Sequence, residues 1–197
     1  MTKLTITGLS HDLRGVARQD GLVWFVKGAL PDEQVVVRET GRRTTSVDAD
    51  VIAVERPSAL RVESACEYYG ACGGCSLQHL SHEGQLQLKQ EMVLDQLQRA
   101  ASIVPATVLP PLVSEPWQYR RRARLSTRWI PEIKKLAVGF RQNKESRIVN
   151  IDHCAVLEPA LQAILLPLRT CLSTFSDPRK LGHVDIVYHN QQLAIGI

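Results

Sequence analysis

The chain has 197 residues, of which 44% are apolar and 22% charged, and carries a net charge of +4. That balance supports a folded core and excludes a disordered chain, and the apolar stretch around Ile164-Leu165-Leu166 is far too short to cross a bilayer. The positive excess is concentrated: residues 1–57 are neutral overall, 58–116 carry −3, 117–147 carry +8 and 148–197 carry −1.

The N-terminal residues Met1–Gly8 alternate apolar and polar side chains and contain no apolar signal core. Five cysteines, an odd number, argue against a disulfide framework, so a cytoplasmic, reduced-thiol protein is expected. Residues 1–57 read as short strands. Leu4–Leu9 alternates, His11-Asp12-Leu13-Arg14-Gly15 is a turn cluster, and Val16–Gln19 with Leu22–Val26 forms a hairpin about Asp20-Gly21. A second turn covers Gly28–Asp32, Gln34–Glu39 is a Val-rich strand, and Gly41-Arg42-Arg43 turns into a strand over Thr44–Val54. Five short strands without helical period predict a small OB-like barrel. Arg56-Pro57-Ser58 reads as a linker, which sets domains at 1–57 and 58–197.

Next comes Cys66-x5-Cys72-Gly73-Gly74-Cys75. Closely spaced thiols in a reducing compartment bind metal or do redox work. Gly73 and Gly74 allow a sharp bend and let backbone N–H groups approach sulfur. Three thiolates call for a fourth ligand, with Cys154 and Cys171 as candidates. A triplet plus one distant cysteine, rather than two close pairs, favours an iron–sulfur cluster over zinc, and packed free thiols are the bland alternative. His79, His82 and His153 border these loops, within reach of ligating or hydrogen-bonding to sulfur, and read as polar surface histidines.

Ser81–Ala101 is a predicted helix with Ser81 as N-cap, and Leu86, Val93, Leu94 and Leu97 form a stripe read as packing. Pro105, Pro110, Pro111 and Pro116 impose an extended connection. Residues Trp117–Trp129 hold most of the basic excess. As a strand, the segment puts Arg120, Arg122, Arg124 and Arg128 on one face and Arg121, Ala123 and Leu125 on the other. With Trp117, Tyr119 and Trp129 interleaved, this is the composition of a phosphate-tracking, base-stacking surface, against the plainer reading of a solvated charged face. Strands follow at Leu136–Arg141 and Arg147–Ile151, joined by a polar turn over 142–145. Glu158–Phe175 is helical, with Pro159 in the first turn and Pro167 kinking or splitting it. Cys171, within this apolar helix, reads as a packed thiol. Val184–His189 and Leu193–Ile197 form a hairpin about Asn190-Gln191-Gln192. Because the chain stops in that second strand, it is expected to be the front part of a longer protein or a truncated gene product.

Two resemblances connect these parts. Asp12–Ala17, Trp24-Phe25-Val26 and Gly28–Glu33 resemble a TRAM domain, an RNA-binding barrel; members commonly carry glycine where this chain has Leu13 and Asp32. The resemblance implies RNA contact by the barrel, with Arg14, Trp24 and Phe25 as the candidate residues; Trp24 and Phe25 point to opposite faces of a strand, so at least one of them is expected in the core. Cys66-x5-Cys72-Gly73-Gly74-Cys75-Ser76-Leu77-Gln78-His79-Leu80 resembles the cluster signature of bacterial 23S ribosomal RNA (uracil-5-)-methyltransferases of the TRAM-containing type. The resemblance implies a [4Fe–4S] cluster on Cys66, Cys72, Cys75 and Cys154, with a structural role. It also implies RNA binding by Arg120, Arg121, Arg122, Arg124 and Arg128, with 23S rRNA as the partner and a monomeric protein.

The fold class expected is mainly β with α+β: a TRAM-type barrel, then an α+β central domain carrying the iron–sulfur loop. The family methylates C5 of a uridine with S-adenosylmethionine on a doubly wound domain. No glycine-rich strand–helix turn occurs in this chain, so no catalytic or S-adenosylmethionine-binding residue is assigned within it, and it is expected to be inactive alone. The rival readings are a stand-alone, non-catalytic RNA-binding module and a zinc-stabilised nucleic-acid-binding protein.

Overall fold

The computed structural model describes residues 1–142 and 147–197. The turn expected over 142–145 falls, beyond Gln142, outside the described residues. The chain divides into two compact units, one made of Met1–Ser64 with Ser76–Leu112 and the other of Ala65–Cys75 with Val113–Ile197. The division therefore differs from a single boundary at 57/58. The cysteine loop belongs to the second unit, while the helix that follows it belongs to the first.

In the first unit, β1 (Thr2–Thr5), β2 (Gly8–Leu9), β3 (Gly15–Gln19), β4 (Leu22–Lys27), β5 (Gln34–Arg42) and β6 (Ser46–Arg56) lie in the order β1-β5-β6-β4-β3-β2. All neighbours are antiparallel except β4 and β6. β1 and β2 are halves of one bent stretch: the first pairs with β5 and the second with β3, and Thr7 N–H donates to Val16 O at 2.8 Å between them. The sheet thus curls until its two edges meet in the same stretch of chain, which removes open edges. The core is Leu4, Ile6, Ala17, Trp24, Val26, Ala29, Val35, Val37, Val47 and Ala49. Both hairpin residues, Asp20 and Gly21, have positive φ, as a tight two-residue turn requires. β5 runs through Gly41 and Arg42, so the expected turn there moves to residues 43–45; bulges in its pairing with β6 absorb the extra length.

α1 (His82–Ala101) is capped by Ser81, whose hydroxyl accepts the Gly84 N–H at 3.1 Å, and ends at Ser102 in the left-handed region. Its apolar stripe is not the packed face expected. Only Gly84 is fully buried, and Val93 is 56% exposed. Among the described residues no helix is long and apolar enough to cross a membrane.

In the second unit, β7 (Arg122–Ile130), β8 (Lys135–Arg141), β9 (Ile148–Asn150), β10 (His183–His189) and β11 (Gln192–Gly196) form an antiparallel sheet in the order β11-β10-β7-β8-β9. One face is covered by α2 (Pro159–Ala163) and α3 (Leu165–Ser173). Leu125, Leu136, Val138, Leu157, Leu161, Leu165, Leu172, Val184 and Ile186 fill the space between. The expected single helix is split, and Pro167 explains where: its ring clashes with the carbonyl four residues earlier, at Ala163, the last residue of α2. Leu165, Leu168 and Leu172 face inward, which turns Cys171 out to solvent. The packed-thiol reading of Cys171 is therefore corrected.

Leu13 and Asp32, the two positions where TRAM domains commonly carry glycine, both adopt φ of 66°. Side chains in this region are strained. Leu13 recovers something by packing near Leu30, Leu77 and Leu80, whereas Asp32 is exposed at the turn. Asp32→Gly should therefore raise the unfolding free energy by roughly 0.5–1 kcal/mol; urea melts giving an unchanged or lower midpoint would contradict this.

Candidate cysteine centre and nucleic-acid interface

All four candidate ligands lie in the second unit. The loop 66–75 is built from local turns: Tyr69 N–H donates to Cys66 O at 3.0 Å and Cys72 N–H to Tyr68 O at 2.8 Å. The sharp bend falls at Gly70, with φ of 87°, rather than at Gly73 or Gly74. Those two glycines serve differently. Gly73 N–H donates to Arg141 O at 3.0 Å, tying the loop to the end of β8 beside a bridge between Cys72 and Gln142. Gly74 N–H points at Cys72 Sγ at 3.4 Å, and a β-carbon on Gly74 would sit 3.4 Å from that sulfur.

Cys154 arrives on the segment after β9. That segment depends on Gly139 in β8, where a β-carbon would lie 2.0 Å from Val149 O, an impossible distance. Only glycine lets the two backbones approach so closely. Burial pushes the Cys72 thiol up, the Gly74 N–H opposes this, and the charges of Cys75, Cys154 and Cys66 push it further up. Burial likewise raises Cys154; N–H groups of Val156 and Leu157 oppose it, and Cys75 and Cys66 add to it. The four thiols are thus close enough to feel one another's charge. As they stand, no three His, Cys, Asp or Glu side chains among the described residues form a group that could hold a metal ion.

Besides His153, several residues that spacing did not single out hold this region together. Tyr68 Oη accepts the Asp152 N–H at 3.2 Å, and the Tyr68 and His153 rings lie 5.3 Å apart. His153 Nδ1 is 3.4 Å from Glu67 Oε1. The Arg169 guanidinium donates to Ile151 O and to Asp152 Oδ1, the latter at 2.8 Å. Such long-range pairs leave no local sequence signal.

The arginine face is present in β7, where Arg122, Arg124 and Arg128 are exposed and alternate with buried Ala123, Leu125 and Thr127. Arg120 and Arg121 precede the strand; Arg120 is half-buried and bridged to Leu157, and Arg121 is exposed. Arg124 is directly opposite Asp185 on β10 and binds its carboxylate through Nε and a terminal nitrogen, at 2.8 to 3.2 Å. That pair holds the Asp185 carboxyl below its usual range. Of the aromatics, Tyr119 is 52% exposed, while Trp129 is packed against the core.

On the barrel, Trp24 is only 5% exposed and lies in the core, so it has no face for a base; the reading of Trp24 as an RNA contact is corrected. Strand alternation turns its neighbour Phe25 outward, where the Arg14 guanidinium sits 4.6 Å from the ring centre. Arg14 is also paired with Asp12 and Asp48. Of the three histidines, His79 departs from the surface reading, being 6% exposed in the first unit. Burial lowers its pKa to about 4, the Arg61 charge lowers it too, and Glu33 acts in the opposite sense.

Residues 2–52 match the family model of the TRAM domain. The chain is 47% identical over 184 residues to the 23S rRNA (uracil(1939)-C(5))-methyltransferase RlmD of Pseudomonas savastanoi pv. phaseolicola, a match covering 93% of this chain and 41% of that protein. It is 38% identical over 192 residues to the protein of the same name from Bordetella pertussis, covering 98% of this chain and again 41% of the relative. Among solved structures, the tRNA (uracil-54, C5)-methyltransferase of Pyrococcus abyssi, in complex with S-adenosyl-L-homocysteine, shares the fold. Its TM-score is 0.66 at 22% identity, over 98% of this chain and 44% of that one. The chain therefore spans about two-fifths of the length of the curated relatives it matches.

Folded His79 stays neutral down to about pH 4, whereas an unfolded histidine takes up a proton near 6.5. The unfolded state binds the extra proton between these values, so stability falls as pH is lowered from 6.5 toward 4. The urea midpoint should drop between about pH 7 and about pH 5, and His79→Gln should remove most of that drop; a midpoint flat over this window in the unsubstituted chain would refute the assignment.

Proposed function

We infer that this chain, a member of the TRAM-containing 23S rRNA (uracil-5-)-methyltransferase family over its matched length, is the RNA-gripping and cluster-holding portion of such an enzyme. The observation that carries this reading is an identity of 38% to 47% spread over 93% to 98% of the chain, barrel and cysteine-bearing unit together. The whole enzyme would transfer a methyl group from S-adenosylmethionine to C5 of a uridine in 23S rRNA, in the cytoplasm and as a monomer. The residues that make and break bonds, and the S-adenosylmethionine site, would lie outside these 197 residues, which are inactive alone.

Cys66, Cys72, Cys75 and Cys154 would hold a [4Fe–4S] cluster, which supplies a covalent staple between the loop and the segment after β9 rather than redox chemistry. The donor set fits: four partly buried cysteines that influence one another's charge, with amide N–H groups directed at two of the sulfurs. A single zinc ion would need all four sulfurs about 2.3 Å from one point, whereas a cubane seats each cysteine on its own iron. The chain purified without oxygen should be brown, with about four irons and about four sulfides per chain; stoichiometric zinc in a colourless protein would overturn the assignment.

RNA would be gripped by the exposed cations of the β7 face, by the exposed Arg121 just before that strand and by Phe25 of the barrel. Arg121, Arg122 and Arg128 are the favoured partners for phosphate, because Arg124 and Arg14 are engaged by carboxylates. Replacing Arg121, Arg122 and Arg128 together by Ala should weaken binding to 23S rRNA fragments. The slope of log affinity against log salt should flatten by about 0.7 to 0.9 for each phosphate no longer neutralised. Arg124→Ala should change the slope less than Arg122→Ala, and equal slopes for all variants and the parent chain would reduce the face to solvated charge.

A further inference from the structure

A ligand set drawn from a short loop and a residue 79 positions after its last cysteine has an assembly problem. Cys154 must find three thiols that are distant in sequence, and the entropy of closing that loop falls on whatever holds the ends together. If the prosthetic group alone did so, the apo chain would leave Cys154 apart from the others.

We propose that Tyr68, Asp152 and Arg169 form a latch that presents Cys154 to the cysteine loop before any group is bound. All three are positioning residues, and the proposal rests on the reading that the four cysteines hold a common group. Tyr68 lies in the loop, two residues after Cys66, and its phenol oxygen accepts the N–H of Asp152, two residues before Cys154, at 3.2 Å. The Tyr68 ring also lies against His153, with centroids 5.3 Å apart and planes at 52°. From the other side, Arg169 on α3 grips the same segment. It donates to Ile151 O and pairs with the Asp152 carboxylate at 2.8 Å, while its own side chain is largely buried. The peptide segment 151–153 is therefore held from the loop through Tyr68 and from the helix through Arg169. None of these interactions involves sulfur. Cys154 follows directly, and its carbonyl accepts the Leu157 N–H at 3.0 Å, which sets the turn that aims its side chain.

The division of labour is specific. Tyr68 supplies a hydrogen bond to Asp152, a second with its neighbour Glu67 and a ring contact, so Tyr68→Phe removes both bonds and keeps the ring. Arg169 uses one terminal nitrogen for both contacts, a hydrogen bond to Ile151 O and an ion pair with Asp152, which Lys reproduces only in part. A general loosening of packing would disturb the whole unit, whereas removal of the latch should separate Cys154 from the loop and leave the loop itself intact.

The test uses the chain in its reduced, metal-free form, treated with a short thiol-to-thiol cross-linker and mapped by mass spectrometry. The link from Cys154 to Cys75 reports the latch, and the link from Cys72 to Cys75 within the loop is the internal reference. Tyr68→Phe combined with Arg169→Gln should lower the first link several-fold relative to the second, and Arg169→Lys should restore part of it. After anaerobic reconstitution with iron and sulfide, the double variant should lose its visible absorption to a chelator about 10-fold to 100-fold faster than the parent. Equal ratios of the two links in the parent and in a folded variant would overturn the latch. If the double variant does not fold, Tyr68→Phe alone, which removes one oxygen atom, gives the same readout. A parent chain that takes up no iron, while its variants show the drop in the Cys154 link, would sink the cluster reading and support the latch.

Discussion

A single buried carboxylate organises the first unit. Glu33 is fully inaccessible to solvent, and its oxygens accept the N–H groups of Leu30 and Ser58 and two donors of the Arg61 guanidinium. Arg61 also donates to Gly28 O at 2.7 Å. Burial pushes the Glu33 carboxyl up, but the Arg61 fork and the two amides outweigh it and keep the group ionised. Breaking such a pair from one side costs about 3–5 kcal/mol because it strands a charge in the interior. The pair joins the turn after β4 to the segment after β6, and so decides where the chain goes when it leaves the barrel. Residues 60–64 then pair with 77–81: Val62 N–H donates to His79 O, Ser81 N–H to Leu60 O, and Ser64 Oγ to Gln78 Oε1. The cysteine loop is the stretch of chain between these two paired passages.

The second unit solves the complementary problem. Its sheet sets the path of the segment that carries Cys154, and it does so by giving up a side chain. At Gly139 the backbone of β9 comes so near that no β-carbon fits, and the segment carrying Cys154 follows directly from that approach. Cys72 and Gly73 bind the end of β8 at Gln142 and Arg141, so one strand touches both the glycine approach and the loop. The backbone fit to β8 places the cysteine loop, and the Gly139 approach and the side-chain contacts of Tyr68 and Arg169 place the segment that carries Cys154.

Much of this was legible from local chemistry. Turn dipeptides, strand alternation, the Ser81 cap and the effect of Pro167 depend on neighbours in sequence, and the structure follows them. What was not legible depends on partners far away. Alternation says that Trp24 and Phe25 point to opposite faces, but only closure of the barrel decides which face is inside. Period alone places a stripe on α1, yet that stripe finds little to cover it. Cys171 sits in an apolar helix, but the three leucines that face the sheet leave it on the outer side. The division into units escaped the linker argument because a loop of eleven residues, 65–75, crosses from one unit to the other and back.

The same distinction governs the charges. Segment 117–147 carries +8, and all of it looks available for phosphate when read along the chain. Across the sheet, Asp185 takes the strongest bonds Arg124 can make, a bidentate pair on neighbouring strands. Arg14 is similarly divided between two carboxylates and the face of Phe25. A paired arginine gives up part of its pull on a phosphate and acquires a fixed position, which costs less to order when a ligand arrives. Arg122 and Arg128 stand opposite Val187 and Ala137 across the strands, and Arg122 acts on Asp185 through its charge rather than through the bidentate pair that Arg124 makes. The face therefore holds two kinds of cation, fixed ones suited to orientation and ones outside such a pair suited to affinity. Counting net charge along the sequence cannot separate them, because the acids that make the difference lie on other strands.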